Sequence, residues 1–536
     1  MICKRQITIE MSSMSSEVVI IGAGIGGLVS AALLAARGHS VTVIEKESWA
    51  GGKARSVYVD DARVDGGPTV FTLRDVFDEI FQSAGENLEN FISIRPAEVL
   101  ARHAWNQEDR LDLYADQMRC EDQIGLFAGA KSVEGYRRFR KQSQKIYESL
   151  NQTMMRASKP KTPFNLIYRM GLSKISDFSG LHPYRSLWTV LGEFFPDQRL
   201  RQLFARYSTY CGSSPFKSPA TLMLIAHVEA LGVWLIDGGI AALADGLKRL
   251  GEKNGATFRF GTSVDRIELK KGRVSGVVLS DGDCIASSFV ISNADPSSIH
   301  NGLLGPSVRK AVTATKGKNR SLSALVWYAN GRTSNFPLKR HNVFFSEDYQ
   351  AEFSQIEKDK VPDNPTIYVC AQDQNASDRL GKTKTGNGRE RLQVIVNAPA
   401  NGDRYNYSAK EKERCTRVMI KSLARCGLEL EDPLPHRLAT PNEFEKLWPS
   451  TGGALYGRAT HGWAASFLRP GARTKIPGLY CAGGSTHPGA GVPMAALSGQ
   501  IAANTVTRDH TSTKKFHQVA TDGGTSMQLA KMDDTG

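Results

Sequence analysis

A short apolar strand that runs straight into a glycine turn constrains this chain more than anything else in its sequence. Residues 17–21 (E-V-V-I-I) read as a buried strand, and Gly22-Ala23-Gly24-Ile25-Gly26-Gly27 follows without a break. A helical run over 28–37 comes next, then a turn at Gly38 and a second strand over 40–44 that ends at Glu45. The unit is a β-α-β of about 30 residues with an acidic residue about 20 positions past the glycines, the context a dinucleotide-binding fingerprint requires. Gly22 permits the tight turn, Gly24 lets backbone approach a pyrophosphate, and Gly27 allows helix and strand to pack closely. The free N–H groups and positive dipole end of the helix, at Ala23 to Gly27, face the phosphates. Glu45 can accept hydrogen bonds from ribose hydroxyls and would repel a 2′-phosphate, so the cofactor is FAD or NAD and not NADP.

The chain past this unit alternates in character. Long amphipathic helical stretches fill 91–234, and Asp237-Gly238-Gly239 opens a helix through Leu250. Short strands with glycine turns follow over 256–260, 264–269, 273–279 and 289–293, and strand-like runs recur at 322–328, 366–371 and 392–398. The expected fold is α/β: a Rossmann-like FAD-binding domain interrupted by a mixed α+β substrate domain and a helical lid. Its expected segments are 17–90, 235–300 and 475–507 for the FAD-binding domain, 91–234 for a helical, membrane-facing region and 301–474 for the substrate domain. The N-terminus 1–16, the polar loop 375–390 and the tail 508–536 lack periodicity and read as mobile.

Several motifs carry a family resemblance. Gly51-Gly52-Lys53-Ala54-Arg55 resembles the Gly-Gly-x-x-Arg turn of the flavin-dependent family that includes amine oxidases, protoporphyrinogen oxidase and carotenoid desaturases. The stretch Gly483-Gly484-Ser485-Thr486-His487-Pro488-Gly489-Ala490-Gly491-Val492-Pro493-Met494-Ala495, ahead of the last helical run, closely resembles the C-terminal flavin signature of bacterial carotenoid desaturases of the phytoene desaturase type. Asp65-Gly66-Gly67-Pro68-Thr69-Val70, Gly232-Val233-Trp234 with Asp237-Gly238-Gly239, and Ser292-Asn293-Ala294-Asp295-Pro296 resemble further blocks of that family, so the likeness spans roughly residues 17–505. Within it, 67–73 and 482–499 look more like the 1-hydroxycarotenoid 3,4-desaturases, also called hydroxyneurosporene or methoxyneurosporene dehydrogenases. The resemblance implies FAD. It makes Gly22, Ala23, Gly24, Gly26, Gly27, Glu45, Lys46, Gly51, Gly52, Lys53, Arg55, Gly67, Pro68, Thr69, Val70, Val264, Asn293, Gly483, Gly484, Gly491, Val492, Pro493, Met494 and Ala495 the candidate cofactor residues.

The implied activity is desaturation of a membrane-borne polyene in carotenoid biosynthesis, with phytoene desaturation as the alternative. A hydride passes to the flavin and a proton leaves, so the protein supplies orientation and a weak base. Glu229 and His227, just before Gly232-Val233-Trp234, are the candidate bases, and oxygen or a quinone is the expected electron acceptor. Flavin amine oxidation and non-enzymatic prenyl-lipid binding, as in Rab GDP-dissociation inhibitors, are the more distant alternatives on this fold. Intact Glu45 and the complete C-terminal segment argue against the second.

A carotenoid has about 40 carbons, so moving it from lipid into water costs on the order of 30 kcal/mol. It must pass from a membrane directly to the enzyme. The net charge of +14, from 68 Lys and Arg against 54 Asp and Glu, favours an anionic surface, and no nucleic-acid signature accompanies it. Residues 156–178 alternate the cations Arg156, Lys159, Lys161, Arg169 and Lys174 with Phe164, Leu166, Ile167, Tyr168, Met170, Leu172, Ile175 and Phe178, which suits docking on lipid. No apolar stretch is long enough to span a bilayer and residues 1–16 lack a secretory signal, so the expected location is cytoplasmic, peripheral to the inner membrane. Eight scattered cysteines without a C-x-x-C pair signal neither a disulfide framework nor a metal site.

Overall fold

The run V-V-I-I forms the strand Val18–Ile21, buried at every position, because a strand covered on both faces needs apolar side chains throughout. It is the middle strand of a five-stranded parallel sheet in the order Thr257–Arg259, Val41–Ile44, Val18–Ile21, Phe289–Ser292, Leu479–Cys481. Three segments far apart in sequence therefore build one sheet. The computed structural model describes residues 17–160, 162–170, 182–313, 315, 317–374 and 388–518. The readings made for 1–16, for 375–387 of the polar loop, for the tail from 519, and for Lys161, Leu172, Lys174, Ile175 and Phe178 lie outside the described residues.

The fingerprint helix Ile25–Ala36 is apolar all round and is buried between the helices Ile240–Lys253 and Val492–Gln518. Glycine makes its close approaches possible. A Cβ at Gly26 would lie 2.7 Å from the backbone N of Gly483, and one at Gly499 would strike the carbonyl of Gly26. The last helix is thereby seated directly on the first glycine turn.

A second, seven-stranded sheet runs in the order His436–Ala439, Ser323–Gly331, Glu390–Ala398, Ile367–Ala371, His341–Phe344, Val99–Ala104, Arg110–Tyr114. Its last two strands fall inside the stretch read as helical from residue 91. V-L-A-R-H-A is a short apolar run, which periodicity alone does not assign to helix or strand, and the parallel partner His341–Phe344 decides it. The helices Gln117–Ala128, Ala130–Leu150, Leu187–Phe194, Gln198–Ala205 and Leu224–Ala230 follow as expected.

One face of this sheet packs on the helix Ala409–Arg425, which starts at a Ser408–Glu411 capping box. Leu325, Trp327, Val369 and Val394 point that way, with Trp327 Nε1 donating to Thr416 Oγ1 at 2.9 Å. Strand alternation turns Tyr328, Gln393, Tyr368 and Gln372 to the opposite face, toward residues 65–69.

Candidate functional site

The site begins at the first glycine turn. Gly22 has φ +95° and Gly51 φ +109°, left-handed values open to glycine at little cost, and Gly24 and Gly51 form an isolated bridge between the two glycine turns. Gly51 N donates to Ala23 O at 2.7 Å, so the two turns are one surface. Asn293, arriving at the end of the strand Phe289–Ser292, lies beneath them: a Cβ at Gly24 would sit 2.5 Å from its Nδ2, and one at Gly483 2.8 Å from its Oδ1. That Oδ1 is buried with no hydrogen-bond partner, as is Arg55 Nε.

Glu45 is buried and accepts from Ala23 N at 2.7 Å through Oε2 and from Glu47 N at 3.0 Å through Oε1. Each oxygen keeps a lone pair for a ribose hydroxyl. Lys53 donates to Leu455 O at 2.5 Å and lies over the Trp448 ring with Arg55; burial pushes its ammonium down to about 8. Gly67 packs against Lys53 and Ala54, with Pro68, Thr69 and Val70 continuing along the rim. Gly483 (φ +107°) and Gly491 (φ +110°) bracket the final loop, the space beside Gly484 is open, and Val492 and Pro493 start the last helix, with Met494 and Ala495 half-buried behind them.

Two expected residues stand apart. Val264 is core, packed with Val19, Ile21 and Ile44 behind the sheet. Lys46 is exposed and engaged with Glu47 and the carbonyl of Lys446.

The cradle has the shape and donors that an FAD-sized group requires. Glycines stand wherever a side chain would fill it, donors of a helix N-terminus face it, and the partnerless Asn293 Oδ1 and Arg55 Nε border it. The residues fit.

The family model for flavin-containing amine oxidoreductases matches residues 25–507. The chain belongs to that family. Among relatives of this flavin-containing oxidoreductase, the hydroxyneurosporene desaturase of Rubrivivax gelatinosus is 46% identical, covering 96% of this chain and 97% of its own. The 1-hydroxycarotenoid 3,4-desaturase of a Flavobacterium is 31% identical, covering 91% and 99%. Cyclohexylamine oxidase from Brevibacterium oxydans shares the fold, at 16% identity and a TM-score of 0.54 over 93% of this chain and 100% of that one. The cofactor of the oxidoreductase is FAD, and its fold is the α/β arrangement expected from the sequence.

Sequence reasoning missed several residues that organise the site. Arg469, only 3% exposed, donates to the carbonyls of Tyr456, Arg458 and Gly484, fixing the final loop. Asp65 accepts from Ile240 N at 2.7 Å, which joins two motif blocks that sequence treats separately; burial raises its carboxyl to about 6. The sheet then grips 65–69 residue by residue. Gln372 exchanges bonds with the backbone of Asp65 at 2.8 and 2.9 Å, Tyr328 OH donates to Gly66 O at 3.2 Å, Gln393 Nε2 donates to Gly67 O at 3.1 Å, and Thr69 Oγ1 meets Tyr368 OH at 2.5 Å. Only pairing in three dimensions reveals these contacts.

The two candidate bases are not brought together. Two residues apart on the helix Leu224–Ala230, they face different neighbours. Glu229, 6% exposed, accepts from Tyr207 OH at 2.6 Å and lines, with Tyr207, Phe204 and Tyr136, a small cleft that opens to solvent. His227 lies against the ring of Tyr147, centroids 5.1 Å apart, and burial lowers it.

Proposed function

We propose that this oxidoreductase introduces a C=C bond into a carotenoid, most specifically the 3,4-desaturation of a 1-hydroxycarotenoid such as hydroxyneurosporene. The observation that carries the reading is 46% identity across 96% of the chain to a hydroxyneurosporene desaturase. When bound, FAD supplies the hydride acceptor. The chain's residues do the rest. Gly22, Ala23, Gly24, Gly26, Gly27 and Glu45 would hold the adenosine and pyrophosphate end, and Gly51, Gly52, Lys53 and Arg55 the turn above it. Gly67, Pro68, Thr69, Val70, Asn293, Gly483, Gly484, Gly491, Val492, Pro493, Met494 and Ala495 would hold the redox-active end. The helix N-terminus at Val492 favours negative charge there. The same reading takes 17–90, 235–300 and 475–507 as the cofactor domain, with 301–474 and 91–234 enclosing substrate.

Removal of a hydride from a carbon beside a polyene leaves charge spread along the conjugated chain, so a weak base suffices. Glu229 is the better-placed proton acceptor: it faces that cleft and Tyr207 orients it, whereas His227 is packed against Tyr147. An electron acceptor of the oxygen or quinone class would be needed to restore the cofactor after each turnover.

Delivery from a membrane surface accompanies this reading. No helix among the described residues is long and apolar enough to cross a bilayer. The helix Pro163–Met170 instead exposes Phe164 (81%) and Tyr168 (77%), and buries Leu166. Of the cations expected to dock, Arg156 faces inward, paired with Asp75 and Glu79, and Arg169 donates to Ser158 O at 2.7 Å. Lys159 is half-buried, and the exposed rings of Phe164 and Tyr168 are the described side chains placed to insert.

The test is product spectra after incubation with hydroxyneurosporene, neurosporene and phytoene in liposomes. A red-shifted product from hydroxyneurosporene supports the reading, a product from phytoene alone supports the alternative, and no product from any removes it. In the same assay Glu229→Gln is expected to lower kcat at least tenfold with flavin retained, and full turnover would return the base to water or the flavin.

A further inference from the structure

We propose that Thr69, Tyr368 and His341 form the binding site for a hydroxyl group at the end of the carotenoid, and so determine which end groups the enzyme accepts. The proposal rests on the carotenoid reading above and gives it a recognition site.

Of the four contacts that hold residues 65–69 to the sheet, three reach backbone atoms and act as positional clamps. The fourth differs in kind. Thr69 Oγ1 and Tyr368 OH meet side chain to side chain at 2.5 Å, and Tyr368 OH continues to His341 Nδ1 at 2.7 Å. Thr69 and Tyr368 are both half-buried and keep accessible surface. His341 is 2% exposed and its Nε2 has no hydrogen-bond partner.

Burial, together with Arg340 and Arg206, pushes the His341 imidazole down to about 3, so the ring is neutral at physiological pH. A neutral ring and two hydroxyls joined by two hydrogen bonds leave acceptor capacity unused on both oxygens. The relay therefore has room for one more hydroxyl donor.

Val70, next to Thr69, and Tyr368 itself pack at the edge of the apolar cluster built by the helices. A hydroxyl relay at the edge of an apolar cluster matches a hydrocarbon that carries a single hydroxyl.

Position completes the case. A relative acts, by its name, on the 3,4 bond of a 1-hydroxycarotenoid. A hydroxyl on carbon 1 is only a few bonds from carbons 3 and 4, so the group that recognises it must sit close to the reacting bond. On the assignment above, Thr69 meets that condition, since it belongs to the Gly67–Val70 segment taken to hold the redox-active end of the cofactor.

The experiment is competition between hydroxyneurosporene and neurosporene for holoenzyme in liposomes, comparing wild type with Tyr368→Phe, Thr69→Val and Thr69→Ser. The ratio of the two kcat/KM values cancels any shared loss of flavin. A site built to pair a hydroxyl discriminates strongly against its absence, so wild type should prefer the hydroxylated carotenoid at least tenfold. Tyr368→Phe and Thr69→Val should bring the ratio toward unity, chiefly by raising KM for hydroxyneurosporene, and Thr69→Ser should restore it. A wild type that does not discriminate, or variants that keep the full preference, overturns the proposal while leaving carotenoid desaturation intact. Turnover of neither carotenoid by wild type overturns the functional reading itself. Should Tyr368→Phe not fold, the valine and serine pair at Thr69 decides.

Discussion

At Gly26 a single methyl group separates a cofactor cradle from a clash. Its Cβ would fall 2.7 Å from Gly483 N and 2.8 Å from Asn293 Oδ1, both backed by the parallel sheet, so neither neighbour can give way. Gly26→Ala is expected to purify with less than a tenth of the wild-type flavin, read as the ratio of absorbance at the flavin band to that of protein; full flavin content would refute the assigned packing.

Asp65 gives a pH-dependent prediction. Burial raises its folded carboxyl to about 6, above the ordinary value near 4, so the folded chain holds this proton more tightly than the unfolded one. Its contribution is therefore fully present below about pH 4 and is lost as pH rises to about 6. Asp65→Asn should flatten that part of the profile of unfolding free energy against pH, read from denaturant melts, by an amount on the order of 2–3 kcal/mol relative to wild type. An unchanged difference between pH 4 and 6 would contradict it.

Among the elements, the helix Pro163–Met170 makes the clearest claim, because Phe164 and Tyr168 stand exposed on a segment whose Leu166 is anchored inside. Phe164→Glu with Tyr168→Glu is expected to reduce sedimentation with anionic liposomes severalfold while leaving the Tm within about a degree, since surface changes of this kind cost little stability. Unaltered liposome binding would move the docking surface elsewhere.

The elements also show where sequence suffices. The strand Arg273–Leu279 was read to the residue and the first β-α-β unit to within a few, since alternation and glycine punctuation are local signals. The strand Val99–Ala104 is not legible, because it joins the sheet by pairing with His341–Phe344, more than 200 residues on, and Arg110–Tyr114 then pairs on Val99–Ala104 as the edge strand. The glycines of the site were legible because close approach demands them. Arg469 and the sheet residues that grip 65–69 were not, because nothing local marks an arginine or a glutamine as a partner of distant backbone. Val264, a cofactor candidate by likeness, packs its side chain in the core behind the sheet.

For the whole molecule, the decisive fact is that one sheet takes strands from 18–44, 257–292 and 479–481. A cofactor lying across those segments binds only when all are assembled, so it should stabilise by mass action. Removal of flavin under mild conditions is expected to lower Tm by roughly 2–3 °C, with recovery on adding FAD at about 100 times its Kd, where the linkage is worth about 2.7 kcal/mol. An apoprotein that melts with the holoprotein would contradict this.

The grip of Gln372, Tyr328 and Gln393 on residues 65–67 has one more implication. Tyr328 and Gln393 stand on two paired strands of the large sheet and Gln372 directly follows a third. The place of residues 65–67 is therefore tied to the sheet's register, and a slip of one residue between those strands would turn the clamping side chains away from the cofactor cradle.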